Sequence, residues 1–333
     1  MLGAILAMAV ASLALSMATL RAQVDNDLLA KRRVFPAVGA GFRAVKRFSS
    51  GRNSSLRYYI LSAPRSAIAM YNTEGQRLGE VPAASAEKAA AIVYGEDLDI
   101  DSSGRVFVAD RGANAVKVFN PDGTLAISIP VRGPTSVAAL QGGELAVASA
   151  NSARLVTVFN LQGKVIREFG EAMEIAERPE LNRFANIGRV ASDAEAHIYY
   201  AFSYLPEPTV RKYDRFGYSS FQIELTALEF QPTAQAARRE ILRLERKGAP
   251  VLKPIVTAFG VDPATQEIWI ALHGQLLRFD RDGNRRASYY TLTPEGARLE
   301  ATSILVEPDR LLLSADPLGI YEFARPDKKS QPD

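Results

Sequence analysis

An aromatic residue, an Asn or Asp, two variable residues and a Gly close one stretch of this chain after another. The copies are YNTEG at residues 71–75, FNPDG at 119–123, FNLQG at 159–163, YDRFG at 213–217 and FDRDG at 279–283. Two short runs precede the later copies with a turn between them: RVFVAD and AVKVFN, ELAVASA and RLVTVFN, HIYYAFS and TVRKYD, EIWIALH and LLRFD. Their alternation and their β-branched and aromatic content favour strands over helices. The ending has a mechanical role: the aromatic packs as the last inward residue, the Asn or Asp caps the turn, and Gly takes the positive φ that a tight turn needs.

A third run lies upstream of each pair, as in EDLDIDSSGR, TSVAALQGGE, GRVASDAEAH and AFGVDPATQE, and a fourth lies downstream, as in TLAISIPV, KVIREFG and YSSFQIEL. Four antiparallel strands per unit, repeating at roughly 40 residues, are the pattern of propeller blades. Complete units run over residues 42–81 and from about Tyr94, Pro134, Asn186 and Ile255, whereas a sixth, ATSILVEPDRLLLSADPLGIYEF, has three strands and no fourth. The N-terminal run LLAKRRVFP, residues 28–36, can supply that strand and leave no open edge at the seam. The expected fold is all-β, a six-bladed propeller of four-stranded antiparallel blades with one inserted amphipathic helix. The expected organisation is a signal peptide at 1–22, a closing segment at 23–36, the propeller at 37–325 with a helical insertion at 226–250, and a flexible tail at 326–333.

The run LDIDSSGRVFVADRGANAVKVFNPDG resembles an NHL repeat, with its apolar-x-Asp-x-x-Gly strand, its V-x-V-A-D strand and an aromatic strand ending in Asp-Gly. The match is specific over residues 99–123 and extends along the chain mainly by period. This resemblance implies a six-bladed propeller of the NHL and gluconolactonase-like kind, a fold that carries scaffolds, sensors and several enzymes. Gluconolactonase-like enzymes hold a divalent ion at the axis with Glu, Asn and Asp from inner strands. The matching positions here read Arg43, Asp97, Pro134, Asn186, Val256 and Ala301, so two offer comparable ligands.

Residues 1–20 carry no charged side chain, and LRA at 20–22 offers a site for signal peptidase, so export to a periplasmic or extracellular space is expected. The alternative is an uncleaved membrane anchor, for which about 20 apolar residues suffice. With no cysteine in the chain, disulfides, thiolate metal sites and a Cys nucleophile are excluded. The net charge of +3 falls to about +2 once Arg21 leaves with the signal, too balanced for a nucleic-acid partner. A monomer is the default state.

In a blade whose first strand is innermost, the links between strands two and three and from strand four to the next blade emerge on one face. The long insertions, residues 83–97, 171–186, 203–208 and 226–250, all fall on such links. Loops gathered on one face of a rigid scaffold are where function usually sits. That face collects Asp97, Asp110, Arg111, Asn114, Asn151, Arg154, Asn186, Tyr204, Glu207, His273 and Asp316. Asp110, Arg111, Asn151 and the other ligand-binding candidates could meet a small molecule, a glycan or a protein. Their oxygen ligands would suit calcium or magnesium if a metal were bound, although the primary reading assigns no metal and no cofactor. The longest insertion should hold a helix from Pro232 to Lys247, stopped by Gly248, with an apolar stripe of Ala234, Ala237, Ile241 and Leu244. Its Arg238, Arg239, Arg243 and Arg246 form either a solvated rim or a docking surface for an anionic partner.

The leading expectation is an exported, NHL-like binding scaffold acting through its loop-rich face. Its competitor is a divalent-metal-dependent hydrolase or lyase at the axial channel. Export makes a direct prediction: protein expressed from the full chain should have an intact mass that starts at Gln23. A membrane-bound product retaining Met1 would establish the anchor instead.

Overall fold

The computed structural model describes residues 26–35, 41–49, 56–62, 67–246 and 248–326. The expected signal peptide at residues 1–22, Pro36, Lys247 and the tail beyond residue 326 lie outside the described residues. Six sheets are arranged as blades of a propeller. Four of them are built from consecutive strands: β3–β6 (residues 42–81), β7–β10 (95–130), β11–β14 (134–169) and β15–β18 (188–224). The fifth blade contains β19–β22 (258–292), and the sixth contains β23–β25 (303–324). From β3 onward the strands of each blade run antiparallel in chain order, and the first of them faces the axis.

The recurrent endings explain why the chain reverses where it does. Phe119, Phe279 and Tyr71 are buried at the ends of third strands, as are Tyr213 and Phe159. The following side chain then holds the turn: Asp214 Oδ1 accepts from the N–H groups of Phe216 and Tyr218, both at 2.9 Å, and Asp280 Oδ1 accepts from Asp282 and Asn284 at 3.0 and 2.8 Å. Gly217 and Gly283 adopt φ of 96° and 84°, in the left-handed region where a Cβ is costly.

Apolar side chains from facing blades fill the wedges between them. Trp269 of the fifth blade packs with Leu311, Leu313 and Phe323 of the sixth, while Tyr199 of the fourth packs with Ile268, Ile270 and Phe279 of the fifth. Each large side chain so buried contributes about 1.5–3 kcal/mol relative to exposure, and no blade can bury both of its faces alone.

The N-terminal segment divides between two blades instead of forming one strand. β1 (Asn26–Leu29) runs parallel to β22 at the outer edge of the fifth blade, giving that sheet five strands. The chain then steps across through Ala30 N–H to Leu292 O at 2.9 Å and Lys31 N–H to Glu322 O at 2.7 Å. β2 (Arg32–Val34) pairs antiparallel with β25 and becomes the fourth strand of the sixth blade. The division lets one short segment cover two exposed edges, and the Arg32–Glu322 ion pair at 3.0 Å sits at the crossing point.

Asp110, at the end of β8, shows how the loops on the elaborated face are held. Its buried carboxylate accepts from the N–H groups of Tyr94 at 2.9 Å, Val93 at 3.0 Å and Ala113 at 3.2 Å, and pairs with Lys117 at 3.0 Å. Burial alone would raise its pKa, but these donors outweigh burial and hold the carboxyl below its ordinary value. A depressed folded pKa contributes stability that is complete above the unfolded value, about 3.9, and lost as the pH falls through the lower folded value. Asp110→Asn should therefore lower the melting temperature at neutral pH and flatten its fall between roughly pH 4 and pH 2. An unchanged slope would show that this carboxylate is not held as described.

Candidate functional site

The axial channel opens on both faces, and Arg189 on β15 lines both openings. Apart from Arg189, the chamber on the plain face, 550 Å³, is bounded by charged groups that already have partners. Lys46 pairs with Asp99 at 3.1 Å, Asp99 also accepts from Ala139 N–H at 2.8 Å, and Arg47 pairs with Glu307 at 3.1 Å. Burial works to lower the pKa of Lys46, but Asp99 and Asp97 outweigh it and hold the ammonium above its ordinary value. Asp193, at the rim of this chamber, holds His197 Nδ1 and the Tyr199 hydroxyl, each at 2.8 Å.

The chamber on the loop-rich face has a volume of 360 Å³, in the range of small-molecule sites, roughly 300–1,000 Å³. One wall is charged. Glu96 bridges Arg43 at 3.4 Å and Arg111 at 3.0 Å, and Arg43 also donates to the Tyr94 hydroxyl at 2.5 Å. The other wall is apolar and aromatic, formed by Phe184, Ile187, Tyr204, Pro254 and Val256. Asp316 lies at the rim, where its Oδ1 accepts from Gly41 N–H at 2.6 Å.

At the floor between the chambers, Arg189 donates through Nη1 to the Arg43 carbonyl oxygen at 3.4 Å, its one hydrogen bond among the described residues. No carboxylate among them lies within ion-pairing distance of it. A guanidinium has five N–H donors, so most of this group faces the channel unengaged. Asp97, just below, accepts from Ser136 Oγ and from Leu98 N–H. Burial pushes its carboxyl up, although Arg189 and Lys46 pull the other way.

The helical insertions build the aromatic wall. α1 (Pro179–Ala185) and α2 (Gln231–Arg246) bury Leu181, Ala185, Ile241 and Leu244 against Leu252 in a small core of their own, with Phe184 and Tyr204 packed on it. The Phe184 and Tyr204 rings lie 4.9 Å apart, tilted by 54°. The two insertions are also cross-linked: Glu245 Oε1 accepts from Glu177 N–H at 2.6 Å, and Arg178 Nη1 donates to the Leu244 carbonyl near the end of α2 at 2.5 Å. The second bond satisfies a carbonyl that the helix end would otherwise leave without a partner.

Among the residues singled out from sequence, Arg111, Tyr204 and Asp316 meet at this mouth, with Asp97 beneath it in the channel. The others are elsewhere. Asn186 is turned into its own loop, its amide bonded to Met173 N–H at 2.7 Å and to the carbonyls of Met173 and Asn182 at 2.8 and 2.9 Å. Asp97 and Asn186, the two oxygen ligands that the family resemblance suggested for an axial ion, are thus committed to separate hydrogen bonds, and the donor set does not fit that ion. No group of three or more metal-ligating side chains occurs among the described residues. Asn151 is exposed in the β12–β13 turn, and Asp110 is consumed by its turn. His273, at φ 46°, lines a separate 160 Å³ cleft with Phe230, Tyr290 and Arg298. Glu207 is held by Arg238 at 2.6 Å, and Arg243 by Glu240 at 2.5 Å, which leaves Arg239 and Arg246 on the exposed side of α2.

Arg189, Glu96 and Phe184 were missed as site residues. Their signal was a charged or aromatic side chain beside a glycine at the mouth of an inner strand, Gly95-Glu96 and Gly188-Arg189, or at the end of a loop helix.

No family model matches the chain, and no curated protein does so by sequence. Solved structures do resemble it in fold. A streptogramin B lyase shares 11% identity over 86% of this chain and 84% of its own, with a TM-score of 0.55. A catalytically inactive virginiamycin B lyase from Staphylococcus aureus with quinupristin shares 9% identity over 86% and 96% of the two chains, with a TM-score of 0.54. Kuenenia stuttgartiensis hydrazine synthase shares 10% over 92% and 99%, with a TM-score of 0.54. At such identities the likeness concerns the fold, and it agrees with the strand pairing: the chain is a six-bladed β-propeller.

Proposed function

We propose that this protein is an exported binding scaffold, NHL-like in its repeat, that takes a small polar molecule into the mouth of its channel on the loop-rich face. Export rests on the charge-free N-terminal run. The binding role rests on one observation above all: Arg189 presents unengaged donors on the axis, whereas Lys46 and Arg47 at the opposite chamber are held in ion pairs with Asp99 and Glu307. A guanidinium at the floor of a chamber with one apolar wall suits recognition of an acceptor group on a ligand. The basic side of α2 is the competing surface, but Arg238 and Arg243 are spent on Glu207 and Glu240. Two of the fold neighbours are lyases. Chemistry at this axis would fall to Asp97, whose raised carboxyl lies beside Arg189's charge, and Asp97→Asn separates that reading from binding alone.

A thermal-shift screen of small anions, neutral sugars and amines against the mature protein tests the proposal. Compounds that stabilise the wild type should bind Arg189→Met at least about tenfold more weakly, a loss of roughly 1.4 kcal/mol, and should bind Arg239→Glu/Arg246→Glu unchanged. Binding that survives Arg189→Met and fails in the helix variant would move the site to α2 and overturn the proposal.

A further inference from the structure

The two walls of the mouth differ in chemistry, and that difference defines a class of ligand. On one side the formal charges are Arg43, Arg111 and Arg189 against Glu96 and Asp316, three positive and two negative, a surplus of one positive charge. Glu96 engages the guanidiniums of both Arg43 and Arg111, so among the described residues lining the mouth the arginine whose donors stay open is Arg189. A dianion would meet Glu96 and Asp316 as well as the arginines, and a cation would meet the open guanidinium of Arg189. One negative charge balances the groups that line the mouth.

On the other side, Tyr204 packs its ring, tilted, against Phe184 and has no hydrogen bond from its hydroxyl among the described residues. Burial, and then the charge of Glu96, hold that hydroxyl in its protonated form by raising its pKa, so it remains a donor. Two unengaged donors of different kinds, a guanidinium and a phenol, therefore share one chamber with Ile187, Pro254 and Val256. A carboxylate has two oxygens to accept from both, and guanidinium–carboxylate pairs are among the stronger polar contacts. An apolar body attached to it would displace water from the Phe184–Tyr204 wall.

We infer that the ligand of this mouth is a monocarboxylic acid with a compact apolar or aromatic body, its carboxylate on Arg189 and Tyr204 and its body against Phe184. The inference rests on the mouth being the ligand site. It also explains the two helical insertions, whose shared core holds the apolar wall in place.

The test is calorimetric titration of the mature protein with 3-phenylpropionate, 3-phenylpropionamide, phenethylamine and inorganic phosphate, repeated on Arg189→Met, Arg189→Lys, Tyr204→Phe and Phe184→Leu. The acid should bind at least about tenfold tighter than the amide, and the amine and phosphate should give no saturable heat. Arg189→Met should erase the preference for acid over amide, Arg189→Lys should restore part of it, Tyr204→Phe should reduce it several-fold, and Phe184→Leu should weaken acid and amide alike. Acid and amide of equal affinity, both weakened by Phe184→Leu, would overturn the carboxylate class while leaving the mouth as the ligand site. Acid binding that neither Arg189→Met nor Phe184→Leu weakens would overturn the site itself, and no measurable binding of the acid at millimolar concentration would overturn the class.

Discussion

Six inner strands converge on one axis, and their polar side chains must find partners in the neighbouring blade or face an open channel. Most find the neighbour. Ser303 Oγ of the sixth blade accepts from Val45 N–H of the first at 3.3 Å; Lys46 of the first pairs with Asp99 of the second; Asp99 accepts from Ala139 of the third; and Ser136 of the third accepts from Val190 N–H of the fourth at 3.0 Å. Outside this ring of contacts, Arg325 of the sixth blade reaches Asp262 and Glu267 of the fifth, and Glu307 binds Tyr58 at 2.9 Å and Arg47 of the first. Burying these charges is tolerable because each is paired and hydrogen-bonded. Where the pattern is interrupted, at Arg189, the interruption is the most informative feature of the molecule.

Once the ring is closed, the loops acquire fixed positions, and the chemistry of the mouth follows from where the insertions fall. α1 precedes the fourth blade and α2 follows it, so both stand over the same sector of the rim. Their apolar faces bury Leu181, Ile241 and Leu244 against each other, while Ala237 of α2 packs on the core between the fourth and fifth blades. The consequence is asymmetry: an aromatic wall over the fourth and fifth blades faces a charged wall on the first and second. The α2 stripe thus serves packing, and its effect on the site is to hold Phe184 and Tyr204 at the opening.

Much of this architecture is legible in the chain, because blade geometry is written in short-range chemistry. The pairing of an aromatic with an Asx turn and a positive-φ Gly recurs at Phe119, Tyr213 and Phe279, and each copy marks the same corner of a blade. The helix over residues 231–246 was equally visible from Ala234, Ile241 and Leu244 at helical spacing and from Gly248 beyond them. The site was harder to read, since its residues come from different blades and no local rule says which inner-strand charge is paired. Asp97 and Asn186 look alike as oxygen donors in sequence, yet one lines the channel and the other is folded into its loop. Arg189 looks like any strand arginine until the neighbours of its guanidinium are known. The N-terminal segment carried a similar ambiguity, because nothing local marks the step at Ala30 and Lys31 from one blade edge to the next.

The central claim is that Arg189, among the described residues of the axis, keeps its guanidinium open, and arginine side-chain NMR addresses it most directly. Guanidinium protons held in buried ion pairs, such as those of Arg310 with Glu307 at 2.5 Å and Arg325 with Asp262 at 2.5 Å, should exchange slowly with water. The Arg189 resonance, identified by its loss in Arg189→Lys, should exchange rapidly in the ligand-free protein and become protected when 3-phenylpropionate is added. An Arg189 signal as protected as those of Arg310 and Arg325 before any ligand is present would mean that the guanidinium already has a partner in the channel, and the account of the site would fail.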